Sequence, residues 1–110
     1  MSDGSAPIRI LAVDDHVLVR QGIAVLIDSE PGLTLVAEAS NGREAIQQFR
    51  AHRPDITLMD LQMPEMNGLD AIIAIRAEFP DAKIVTNRIL GPLFSQRIFQ
   101  AYSQGTLGFE

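Results

Sequence analysis

Three aspartates stand where they could carry phosphoryl chemistry. Asp14 and Asp15 are adjacent and follow an almost wholly aliphatic run, Ile8 to Val13, while Asp60 closes a second apolar run, Ile56 to Met59. A carboxylate can attack phosphorus and hold the phosphoryl group as an acyl phosphate. Three carboxylates sharing one crevice repel one another unless a cation joins them. Hard oxygen ligands suit Mg2+, which keeps several waters and is held by one or two carboxylates plus a phosphate. Such an ion offsets the charge of the incoming group while the protein supplies positioning and electrostatics. A single aspartate after a strand is more simply a turn former or a helix cap, and Asp15 could cap a helix beginning at His16. An adjacent pair and a third aspartate at equivalent ends of two strands favour a site.

The elements that must position these groups alternate along the chain. Ile8 to Val13 reads as a buried strand. From His16 to about Ser29 the spacing turns helical, with Leu18, Gly22, Val25 and Leu26 on one face, until Glu30-Pro31-Gly32 breaks it. Leu33 to Ala39 is a second strand. Ser40-Asn41-Gly42 turns into a helix striped by Ala45, Ile46 and Phe49, which stops near Pro54. Ile56 to Met59 is a third strand. Residues 68 to 78 form a helix with Leu69, Ile72 and Ile73 on one side, and Lys83 to Thr86 begins a fourth strand. Gly91-Pro92 can open a further helix, with Phe94, Ile98, Ala101 and Tyr102 on one face and Gly105 as its cap; Leu107 to Phe109 could be a fifth strand.

Strands alternating with single helices imply right-handed crossovers and a parallel sheet covered on both faces. The expected fold is an α/β, flavodoxin-like three-layer sandwich with strand order 2-1-3-4-5, irregular or incomplete after residue 86. In such a sheet, sites form outside the carboxyl ends of the strands, where the order reverses. Asp14, Asp15 and Asp60 would meet there.

Composition narrows the class. At 110 residues the chain is one domain, and 46% hydrophobic with 21% charged residues fits a globular core rather than disorder. The absence of cysteine excludes disulfides and thiolate chemistry. Fourteen acids against nine bases, a net charge of -5, oppose a direct grip on nucleic acid. No apolar run reaches membrane-span length and the polar start is no signal peptide, so a cytoplasmic protein is expected, with residues 1–7 flexible and 8–110 forming the domain.

Ile10-Leu11-Ala12-Val13-Asp14-Asp15-His16 resembles the first strand and acidic pair of the receiver domains of two-component response regulators. Asp60-Leu61-Gln62-Met63-Pro64-Glu65-Met66-Asn67-Gly68-Leu69 resembles their phosphorylation loop. With Leu18, Arg20 and Gly22, the acidic pair is similar to the NarL/FixJ-like branch, whose output half is usually a DNA-binding helix-turn-helix. The likeness runs from about Ile8 to Val85. It implies Asp60 as phosphoacceptor, Asp15 as a direct Mg2+ ligand, Asp14 as a ligand acting mainly through water, and the Gln62 backbone carbonyl as a further metal contact. It implies a histidine kinase as phosphodonor and DNA contact only through an output domain outside this chain, with no membrane partner. Thr86 takes the place of the family's hydroxyl switch residue, although the fourth strand is short and runs straight into Asn87-Arg88. The family's lysine after the fifth strand has no counterpart: Lys83 is the only lysine here, at the start of the fourth strand.

Two alternatives follow from the same residues. One is a pseudo-receiver, a protein-interaction module that never switches by phosphate. The other is a Mg2+-dependent phosphohydrolase with Asp60 as nucleophile, for which the sequence offers no general acid. His16 reads as a residue packed at a helix start, and Gln62 and Glu65 could tune access of water to a phosphorylated Asp60. The apolar face of the last helix, Phe94, Ile98 and Tyr102, lacks cover beside an incomplete sheet. It predicts packing against a second copy, as a homodimer or by exchange of the segment between chains, which would draw Thr86 away from its switch position.

Overall fold

Alternation along each strand divides the apolar residues between two faces of one sheet. The structure, a computed structural model, describes residues 6–61, 63, 67–86 and 93–104. Its strands are β1 (Ile8–Val13), β2 (Leu33–Ala39), β3 (Ile56–Met59) and β4 (Ile84–Thr86). The helices are α1 (Val17–Asp28), α2 (Gly42–His52), α3 (Gly68–Glu78) and α4 (Phe94–Gln104). All strand pairs are parallel and the order is β2-β1-β3-β4, the expected arrangement as far as β4. The expected fifth strand at Leu107 to Phe109 lies outside the described residues.

β1 sends Ile8, Ile10 and Ala12 to one side, where they meet Ile23 and Ile27 of α1 and Phe94, Ile98 and Ala101 of α4. Leu11 and Val13 point to the other side, against Ala45 and Phe49 of α2 and Ala71, Ile72 and Ile75 of α3. Because β1 and β3 are covered on both faces, they read as nearly continuous apolar runs, interrupted only by Arg9 and Thr57, as buried parallel strands do. Each large side chain buried this way stabilises the fold by about 1.5–3 kcal/mol.

The local signals act as their chemistry dictates. Asn41 caps α2 by accepting a hydrogen bond from the Glu44 backbone N–H at 2.8 Å, and Asn67 caps α3 from Asp70 in the same way at 2.9 Å. The turn after α1 closes on Gly32, whose φ of 90° is one that side chains rarely adopt. Gly68 is required for a different reason. A Cβ there would stand 2.2 Å from the Asp60 carbonyl oxygen and 2.6 Å from the Leu61 Cα. The first turn of α3 therefore rests directly on the backbone that follows β3.

Three expectations are corrected. The face of α1 that meets the sheet is Val19, Ile23 and Ile27, whereas Leu18, Val25 and Leu26 of the expected stripe are exposed. On α3, Ile72 is buried as expected, but Leu69 and Ile73 face outward and Ala71 and Ile75 do the packing. Both helices carry two apolar stripes, and only the sheet decides which is covered. The third correction concerns α4. It lies on the α1 side of the sheet, with Phe94 at 3% and Ile98 at 0% exposure inside its own chain. The apolar surface that predicted a second copy is already covered, and only Tyr102 of that face is exposed.

Candidate functional site

The strand register brings the aspartates together. Val13 and Met59 are paired residues of β1 and β3, so Asp14 and Asp60 leave the sheet side by side. Backbone bonds fix both exits: Asp60 N–H donates to the Val13 carbonyl at 2.9 Å, and Asp14 N–H to the Ala39 carbonyl at 3.0 Å. Asp14 is 1% exposed and Asp60 8%, while Asp15 sits at the rim. Ligand atoms of Asp14, Asp15, His16 and Asp60 all fall within 4.8 Å of one another.

Asp15 does not cap α1. The capping position belongs to His16, whose side chain makes no cap hydrogen bond. Instead the His16 backbone N–H donates to Asp14 Oδ1 at 2.8 Å, and its Nδ1 lies 3.0 Å from the same oxygen and 3.1 Å from Asp15 Oδ1. His16 is not packed against the helix start, as its sequence position predicted; its side chain is 68% exposed and held by carboxylates. The hydrogen bond with Asp14, followed by the charge of Asp15, raises the imidazole pKa above its usual value. Asp15 Oδ1 is itself buried and, despite its nearness to His16, accepts no hydrogen bond of sound geometry among the described residues. A buried carboxylate oxygen left in this state is suited to a cation. The donor set of three carboxylates fits a hard divalent ion.

Arg20, named above only as part of the family likeness, is a further participant. Its guanidinium donates to the Asp14 backbone carbonyl and pairs with Glu38 at 3.1 Å, tying α1 and the end of β2 to the acidic loop. Thr86 ends β4 opposite Met59, at the level of Asp60, and is buried; it has not been drawn from the carboxyl end of the sheet. Gln62 and Glu65 lie outside the described residues. Lys83 is remote from the acids. It lies at the opposite end of the sheet, where Nζ donates to the Tyr102 carbonyl at 2.7 Å and sits 4.8 Å from the Tyr102 ring centroid. That end holds an open cleft of about 430 Å3, with Arg53 stacked on Phe79 at 4.2 Å.

Comparison with known proteins agrees with this arrangement. Residues 10–88 match the family described as response regulator receiver domain. The response regulator GacA of Pseudomonas viridiflava is 38% identical over 99 residues, covering 89% of this chain and 46% of GacA. A LuxR-family two-component response regulator from Aurantimonas sp. SI85-9A1 superposes with a TM-score of 0.72 at 36% identity, over 94% of this chain and 73% of that one. The structure of a CheX-CheY-BeF3-Mg+2 complex from Borrelia burgdorferi gives a TM-score of 0.73 at 26% identity, over 97% and 79%. The chain thus spans less than half the length of the GacA it matches. No helix among the described residues is long and apolar enough to cross a membrane.

Proposed function

Because this chain belongs to the response regulator receiver domain family, we propose that it is a phosphorylation-controlled switch whose acceptor is Asp60. The observation that carries the reading is the convergence of the Asp14, Asp15 and Asp60 carboxylates at the ends of β1 and β3. In the transfer, a carboxylate oxygen of Asp60 attacks the phosphorus of a phosphohistidine on a partner kinase. The P–O bond forms as the P–N bond breaks, and the donor imidazole leaves and takes up a proton. Bound between these acids, Mg2+ would neutralise charge on the phosphoryl oxygens. Asp15 would offer its buried Oδ1 as a direct ligand and Asp14 would act mainly through water, with the backbone carbonyl of Gln62 proposed as a further contact. Arg20 holds the Asp14 carbonyl and so keeps the acidic loop in place.

Thr86 is the proposed hydroxyl that senses the phosphoryl group from the adjacent strand end. A switch needs the phosphorylated and free forms to differ in affinity for a partner. The output is proposed to be transcription, through a DNA-binding domain beyond this receiver unit of residues 8–110, in the cytoplasm. With a net charge of -5, the receiver itself is not the DNA-binding part.

The test is phosphorylation by acetyl phosphate with Mg2+, read by intact mass. One phosphoryl group is expected on the native chain and none on a folded Asp60→Asn variant. Labelling that persists in the variant would place the acceptor elsewhere. One observation favours a second reading, a pseudo-receiver that binds partners without phosphate: the only lysine is held at the far end of the sheet by Tyr102. A native chain that takes no label while still folded would select it.

A further inference from the structure

We propose that His16 is a ligand of the acidic site, so that the cluster takes borderline, nitrogen-binding divalent cations such as Zn2+, Co2+ and Cu2+ as well as Mg2+. The inference rests on the reading of Asp14, Asp15 and Asp60 as a cation site and adds a fourth donor of another chemical type.

Geometry carries it. Nδ1 of His16 stands 3.0 Å from Asp14 Oδ1 and 3.1 Å from Asp15 Oδ1. Four ligands around a tetrahedral zinc, at bonds of roughly 2.0–2.1 Å, lie about 3.3 Å from one another. The imidazole is therefore already at ligand spacing from two carboxylates. The widest separation in the set, within 4.8 Å, closes by about 1.5 Å. The buried Asp15 Oδ1 has no hydrogen bond of its own among the described residues, so a cation would satisfy an atom that the fold leaves wanting. The ring is held at the mouth rather than wedged in the core: 68% of the side chain is exposed, while the backbone N–H is fixed to Asp14. Ligation replaces the hydrogen bond between Nδ1 and Asp14 Oδ1, and any proton on Nδ1 is released to solvent.

Chemistry then decides which ions profit. Imidazole nitrogen suits Zn2+, Cu2+ and Ni2+, whereas Mg2+ is satisfied by carboxylate, carbonyl and water oxygen. His16 should thus add much to the affinity for the first group and little to that for Mg2+.

Two measurements on the whole chain test this, with His52→Asn as the background to remove the second histidine. Cu2+ is titrated and its electron paramagnetic resonance recorded; Co2+ and Mg2+ affinities are measured by calorimetry. His16→Asn is the variant, because asparagine is a strong helix cap and preserves the start of α1. The expected result is nitrogen hyperfine coupling that disappears in His16→Asn, Co2+ affinity lowered roughly tenfold or more, and Mg2+ affinity unchanged. Nitrogen coupling or Co2+ affinity unaltered by His16→Asn would overturn the proposal while leaving the Mg2+ reading intact. No Mg2+ binding by the native chain would overturn that reading instead, and the nitrogen signal alone would then decide the role of His16.

Discussion

Thr57→Val should stabilise this protein. Thr57 lies in the middle of β3, between Leu11 of β1 and Ile84 of β4, and is 0% exposed. Its backbone N–H donates to the Lys83 carbonyl at 2.9 Å, but its hydroxyl finds no hydrogen-bond partner among the described residues. A buried polar group in that condition costs about 1–3 kcal/mol. Valine replaces the hydroxyl with a methyl group of similar shape, keeps the β-branch, and leaves the strand bonds untouched. A methyl in that pocket adds roughly 0.8 kcal/mol of transfer energy. Setting part of this against imperfect packing, the net gain should be about 2 kcal/mol, enough to raise the melting temperature by about 10 °C in a domain of this size. Urea unfolding would show a later midpoint at unchanged slope. Thr57→Ser is the control: it keeps the hydroxyl, removes the methyl and should be destabilised. Valine equal to or worse than threonine would mean that the hydroxyl is satisfied, and the reasoning would fail.

Four further outcomes are expected. Gly68→Ala forces a Cβ into the Asp60–Leu61 backbone and should cost about 3 kcal/mol in urea unfolding, with slower labelling of Asp60. Ile98→Ala opens a hole under α4 and should cost about 2–5 kcal/mol, independently of protein concentration; a concentration-dependent loss would restore the second copy. Asp15→Asn should lose most of the stabilisation by Mg2+, which for the native chain is about 2.7 kcal/mol at a hundred times the Kd; melting curves across a Mg2+ series report it. Glu44 accepts hydrogen bonds from the Ser40 backbone and hydroxyl, which lower its pKa. A depressed carboxyl stabilises the fold above its unfolded pKa, and that contribution fades as pH falls below about 4.3. Glu44→Gln should therefore flatten the acid limb of the stability curve, slightly, because the group is exposed.

The strands were legible because they are covered on both faces: Ile8–Val13 and Ile56–Met59 stand as apolar runs broken only by Arg9 and Thr57, and the aspartates that follow them mark the site. The covered faces of α1 and α3 were not. In α1, Leu18 and Val25 share a helical period with Val19 and Ile23, and periodicity cannot say which of two adjacent stripes meets a sheet. His16 and Arg20 were missed as partners of the acids for a related reason. Their contacts depend on how α1 leaves the loop after β1, a bend that no spacing encodes. The side taken by α4 was equally hidden, since an apolar helix stripe fits either face of an apolar sheet.

The contact at Gly68 has a mechanical meaning. Between the Asp60 carbonyl and α3 there is no side chain, only backbone against backbone. Side-chain layers absorb small displacements by changing rotamers; two touching main chains have no such slack. A shift of the Asp60 peptide would therefore press directly on the first turn of α3, a helix of eleven residues. Leu69 and Ile73, on the outer side of that helix, ride with it. A local event at a carboxylate would then be felt on an apolar surface where another molecule can read it.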